Sequence, residues 1–140
     1  MIVIDTNVAS EPLRPQPDER VTSWLAARRR EDLFITTVTV AEMLAGTAVV
    51  PNGRRKTGMA DGFERLLRDL FQDRILAFDE PSARSYAKIF ARMRASGRGI
   101  TLFDCQIAAI AMLHGASIAT RDVRPFIDAG VEVINPWTEE

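Results

Sequence analysis

Apolar residues recur along the chain in two rhythms. Short unbroken runs appear at Ile2-Val3-Ile4, Leu33-Phe34-Ile35, Ile75-Leu76-Ala77-Phe78, Ser117-Ile118-Ala119 and Val131 to Ile134. Runs without alternation predict strands buried on both faces, as in a parallel sheet. Between them the apolar positions follow helical spacing. Val21, Trp24, Leu25 and Arg28 share one face of a helix capped by Asp18 and running through Arg30. Arg28-Arg29-Arg30 load its last turn with cations that the helix dipole favours. Thr36 to Val50 reads as a second helix. Phe63, Leu66, Leu67, Leu70 and Phe71 form an i, i+3, i+4, i+7, i+8 series, an amphipathic helix. Pro81 marks the start of another that runs to about Ser96, with Tyr86, Ile89, Phe90 and Met93 inward. An alanine-rich helix, Asp104 to His114, is opened by Thr101 or Phe103 and closed by Gly115. Pro51 to Gly58 reads as a loop. Strand and helix patterns alternate throughout, so the expected architecture is a three-layer α/β/α domain around a central parallel sheet. No repeat or linker interrupts it, and residues 1–140 fit one domain.

Composition narrows the chemistry. The charged fraction is 26% and the net charge −1, so no bulk basic field exists to hold nucleic acid non-specifically. Sixteen of the eighteen basic residues are Arg. That bias suits bidentate phosphate recognition, and a GC-rich coding sequence gives it equally. One cysteine, Cys105, and one histidine, His114, exclude an intramolecular disulfide and a Cys/His zinc site. Both have plain readings, a small packing residue and a helix-end cation site. Nothing has the shape of a signal peptide, and the longest apolar run, Ile107 to Leu113, is too short to span a bilayer. The expected setting is the cytoplasm, away from membranes.

The acids carry the candidate chemistry. Asp5 and Asp122 directly follow predicted strands, where open α/β sheets bind ligands. Each also reads as a helix N-cap. Glu42 lies in the helix after the second strand, near the apolar Val38, Met43 and Ala45. A capping box with Thr39 is the structural alternative. Asp104 opens the alanine-rich helix, with Thr101 offering the same alternative. Small residues such as Ala108, Ala109 and Ala111 let that helix approach the sheet. Asp79 reads as an ordinary strand-to-helix turn and Asp128 as a surface acid. Carboxyl-end loops share one edge of such a sheet, so Asp5, Glu42, Asp104 and Asp122 can converge there. Carboxylates at close range repel and hold their protons unless a cation sits among them. An all-oxygen donor set suits Mg²⁺ or Mn²⁺ and hence phosphate chemistry.

These residues resemble a known family. Ile2-Val3-Ile4-Asp5-Thr6-Asn7, Thr36 to Gly46 with Ala41-Glu42, Asp104-Cys105-Gln106-Ile107-Ala108-Ala109 and Ala119-Thr120-Arg121-Asp122 match, in order and spacing, PIN-domain ribonucleases. The match is closer still to the VapC-like toxins of toxin–antitoxin pairs. Phe126, Gly130-Val131 and Asn135-Pro136-Trp137 extend it to the end of the chain. The resemblance implies an acidic quartet at Asp5, Glu42, Asp104 and Asp122, of which Asp5, Asp104 and Asp122 ligate the metal. It implies supporting polar roles for Thr6, Asn7 and Thr120. The activity implied is Mg²⁺- or Mn²⁺-dependent endonucleolytic cleavage of RNA, with a cognate antitoxin as partner and a homodimeric toxin. Arg92, Arg94 and Arg98 precede the Asp104 segment and are candidate RNA contacts. One departure stands just before the third acid: Ile100-Thr101-Leu102-Phe103 replaces the polar residues that many members carry.

Other readings fit less well. A phosphatase of the haloacid dehalogenase type wants a second acid two positions after the first, where this chain has Asn7. A receiver domain wants a late Lys, and none follows Lys88. A catalytically silent PIN-like module that holds RNA or protein is the remaining alternative, and four intact acids count against it.

Overall fold

A computed structural model of the chain describes residues 1–139. Its centre is a five-stranded parallel sheet in the order β3-β2-β1-β4-β5. The strands are β1 (Ile2–Ile4), β2 (Leu33–Thr36), β3 (Ile75–Leu76), β4 (Ser117–Ala119) and β5 (Val133–Ile134). β1 lies in the middle, with Val3 opposite Phe34 on one side and Ile118 on the other. Strand side chains alternate between faces, and this sheet uses both. Val3 and Ile118 join a core with Ile89, Met93, Ile107, Ile110 and Phe126. Ile4, Leu33, Ile35 and Ala119 join a second core with Val8, Trp24, Phe71 and Trp137. Helices therefore cover both faces, which is why the strands show unbroken apolar runs.

The helices are α1 (Thr6–Ser10), α2 (Glu19–Ala26), α3 (Thr37–Ala48), α4 (Arg54–Leu66), α5 (Glu80–Ala95), α6 (Leu102–Leu113) and α7 (Val123–Asp128). Several bounds depart from the pattern-based expectation. α2 stops at Ala26 instead of Arg30, and Arg30–Asp32 form a separate 3₁₀ turn. Arg28 lies over the Trp24 ring at 4.6 Å instead of extending the buried face. The expected loop ends early, because α4 begins at Arg54. The stretch after Arg54 is polar and glycine-containing, yet Phe63 and Gly62 are buried and anchor it. The amphipathic series does not belong to one α-helix: Leu67–Phe71 wind as a π-helix. That shift buries Phe71 fully and leaves Leu66, Leu67 and Leu70 half-buried. Phe90 is exposed, not inward, and stacks on Tyr86 with ring centroids 5.9 Å apart. No helix among the described residues is long and apolar enough to cross a membrane.

Candidate active site

β1 ends at Asp5, whose backbone N–H continues the ladder to the Ala119 carbonyl at 3.0 Å. Its side chain then caps α1, with Oδ1 accepting from the Thr6 N–H at 2.8 Å. The capping alternative is thus real, and it occupies only one oxygen. Oδ2 accepts from the Thr120 hydroxyl at 2.7 Å and from the Asn7 amide at 3.1 Å. The Thr120 oxygen in turn accepts from Asn7 Nδ2 at 3.2 Å and from the Asp122 N–H at 3.1 Å. One hydroxyl thereby ties the end of β1 to the loop after β4. Asn7 closes the ring, because its Oδ1 accepts from the Arg121 N–H at 3.0 Å.

Glu42 projects from α3 toward the same edge. Its Oε1 accepts from the Thr6 hydroxyl at 3.0 Å. The expected capping box with Thr39 does not form. Thr36 is the cap, its hydroxyl accepting from the Thr39 N–H at 3.1 Å, so Glu42 has no helix end to satisfy. Of its apolar neighbours, Val38 is buried, Met43 half-buried and Ala45 exposed. Asp104 stands in the first turn of α6 with its N–H bonded to the Thr101 hydroxyl at 3.1 Å. Thr101 therefore does cap, and the Asp104 carboxylate is half-buried. Asp122 occupies the N-cap position of α7, yet its side chain makes no capping bond.

The electrostatics join these acids into one site. Burial pushes the Asp5 carboxyl up to about 6, against the lowering effect of the Thr120 and Thr6 bonds, and the charges of Asp104 and Glu42 add to the rise. Partial burial raises Glu42, the Thr6 bond opposes it, and Asp104 adds repulsion. Burial raises Asp104 as well, with Asp122 repelling it and the Thr101 bond opposing. Asp5, Glu42 and Asp104 thus each feel the charge of at least one other of the four acids. Among the described residues no three acids are drawn up as a finished cation cage. The donor set nevertheless fits a hard divalent cation: oxygen ligands only, mutually repelling, and partly desolvated.

The remaining candidates separate. Asp79 caps α5 through Ser82, and Asp128 is an ion-pair anchor for Arg98 and Arg124 with a mostly buried side chain, not a loose surface acid. Arg92 donates to the Ala129 carbonyl and Arg98 Nη1 to Asp128 at 2.9 Å. The Arg94 side chain makes no hydrogen bond or ion pair among the described residues, and the residue is exposed. The residue pattern gave no sign of one feature. A cleft of about 530 Å³ opens from Thr6 and Glu42 between α3 and α4, reaching Leu13, Gly46 and Met59. These positions lie far apart in sequence and carry no motif.

The chain is thus a parallel α/β domain with acidic side chains at the carboxyl edge of its sheet, held by hydroxyl and amide bridges. A family model described as "PIN domain" matches residues 2–131, and the chain belongs to the PIN-domain family. It is 46% identical over 137 residues to the protein named Toxin FitB of Neisseria gonorrhoeae, covering 98% of this chain and 99% of that one. It is 42% identical over 137 residues to VapC ribonuclease Y4jK of Sinorhizobium fredii, covering 98% of each. The solved structure of FitAcB from Neisseria gonorrhoeae superimposes with a TM-score of 0.93 at 45% identity, over 99% of this chain and 100% of that one.

Proposed function

We propose that the chain is a metal-dependent endoribonuclease and the toxin half of a toxin–antitoxin pair, a cytoplasmic homodimer neutralised by a cognate antitoxin. The observation that carries the chemistry is the bonded edge at the end of β1, where Thr120 and Asn7 hold Asp5, Thr6 holds Glu42, and Asp5, Glu42 and Asp104 each register another acid's charge. Relatives named as a toxin and as a ribonuclease, 46% and 42% identical over nearly the whole chain, support the biological role.

Asp5, Asp104 and Asp122 are the residues that would hold Mg²⁺ or Mn²⁺, with Glu42 completing the site directly or through water. Such a cation, when bound, supplies an activated water and stabilises the departing oxygen of the phosphodiester. The protein's own contribution is preorganisation. Thr120 fixes Asp5 and the backbone of Asp122 together. Thr6 steers Glu42 toward the edge and restrains its charge. Asn7 holds Asp5, Thr120 and the Arg121 backbone in one ring, so Asp5 and the loop that carries Asp122 are tied together. Arg94 is the cation of this arginine cluster left uncommitted and is available to meet RNA phosphate; Arg92 and Arg98 are engaged by the end of α7.

The test is digestion of single-stranded RNA by the purified chain with Mg²⁺, with Mn²⁺ and with EDTA. Cleavage is expected with either ion and lost in EDTA. Asp5→Asn should abolish it while circular dichroism stays native. Undiminished cutting by that variant would sink the assignment. An inert wild type that binds no Mg²⁺ in titration would point to the silent binding module.

A further inference from the structure

We propose that the cleft beside the acids seats one nucleotide of the RNA, the one joined to the phosphate being cut. This deepens the nuclease reading and rests on it. The cleft begins at Thr6 and Glu42, inside the acid cluster. A phosphodiester that reaches those acids carries a nucleoside on each side, and one of them must lie where the cleft opens. Its walls combine Met43 of α3 and Met59 of α4 with the exposed side chain of Arg55 and with Arg14, whose guanidinium is paired with Glu11 at 3.2 Å. Soft apolar surface for a base, with Arg for a phosphate, is the chemistry by which unpaired nucleotides are bound. The volume of about 530 Å³ is ample for a single nucleotide.

Gly46 supplies the position at which the cleft can be filled. It lies within α3 with an ordinary helical φ and lines the cleft. A glycine there costs the helix about 1 kcal/mol relative to Ala. Nothing in the chain requires it, because a Cβ at Gly46 would meet no atom within 4 Å. Gly62 of α4 differs, since a Cβ there would stand 3.4 Å from Leu13 Cδ2. Gly46 is exposed, so a larger side chain there can extend into the cleft without displacing any part of the chain. Arg55 and the direct opening onto the acids favour a nucleotide over a peptide as the occupant of the cleft.

Gly46→Leu fills the space without touching the acids. Gly58→Leu is the control: it lies in α4, a Cβ there also meets nothing within 4 Å, and it does not line the cleft. Both variants should melt at or above the wild-type temperature, since each gains helix propensity. The assay is steady-state cleavage, without antitoxin, of short single-stranded oligoribonucleotides differing only at the positions flanking the cut. Gly46→Leu should raise KM by roughly tenfold or more, the usual scale for steric misfit in a small pocket, and alter base preference on one side of the cut. Gly58→Leu should leave both unchanged. A Gly46→Leu variant with wild-type KM and base preference overturns the proposal. So does one that keeps both but loses antitoxin binding, which would make the cleft a peptide seat. A wild type that cuts none of the oligoribonucleotides with Mg²⁺ or Mn²⁺ removes the nuclease reading itself, a failure distinguishable from either.

Discussion

Asp5 keeps 6% of its surface exposed, and burial holds its carboxyl at about 6 against an ordinary 3.8. Below the ordinary value the group is protonated whether the chain is folded or not. As pH rises toward 6 the folded chain binds the proton more tightly than the unfolded chain, so this residue's contribution to stability is progressively lost. Above that range the metal-free fold carries the full cost, on the order of 3 kcal/mol. A cation among the acids relieves the same cost, but only where Asp5 is ionised, so protons and metal compete for the site. The increment in urea midpoint produced by saturating Mg²⁺ should therefore be large at about pH 7.5 and vanish at about pH 4.5. Glu42 and Asp104, also raised, push the window in the same direction. An Mg²⁺ increment independent of pH would mean that the cation binds elsewhere.

At the scale of elements, the junction of β2 and α3 sets the position of Glu42. Thr36 is the last residue of the strand and the cap of the helix, so no loop separates them. Its buried hydroxyl accepts from the Thr39 N–H and lies 3.3 Å from the Thr39 hydroxyl. Thr36→Ala should destabilise the fold by about 0.5–2 kcal/mol in urea denaturation and lower cleavage, because α3 carries Glu42. Thr36→Ser should retain most of both. Equal stability of all three proteins would show the cap to be idle. The pattern of residues announced α3 but not this detail. Thr36, Thr37 and Thr39 crowd one turn, and any of them can cap; only the packing of Val38 into the core selects Thr36. The strands were legible because burial on both faces forces unbroken apolar runs. Asp5 and Asp122 were legible for the same reason, as the first acids after such runs. The π-helical turn at Leu67–Phe71 was not, since its apolar spacing also fits an α-helix. The cleft was illegible because Leu13, Gly46 and Met59 meet only through the packing of α3 and α4 against the turn after α1.

Across the whole molecule, charge is cancelled locally. Among the described residues, half of the sixteen arginines stand in ion pairs with nearby acids. Three more, Arg30, Arg74 and Arg92, donate to backbone carbonyls. Exposed pairs of this kind add little stability, but they remove the positive field that a polyanion follows over long range. RNA must then be held by a short contact at the acid edge, with only a few cations such as Arg55 and Arg94 reaching phosphate. Counterion release measures that number directly, at about 0.7 per phosphate contacted on a single strand. The affinity of an inactive Asp104→Asn variant for a single-stranded oligoribonucleotide, followed by fluorescence anisotropy across a KCl series, should fall with a log–log slope of about −2 or shallower. A slope near −5 would require a basic face running far beyond the cleft, and the ion pairs on the arginines would then have to open when RNA binds. A shallow slope would place the protein's selectivity in the few contacts around the cut, where the acids and the cleft beside Gly46 are found.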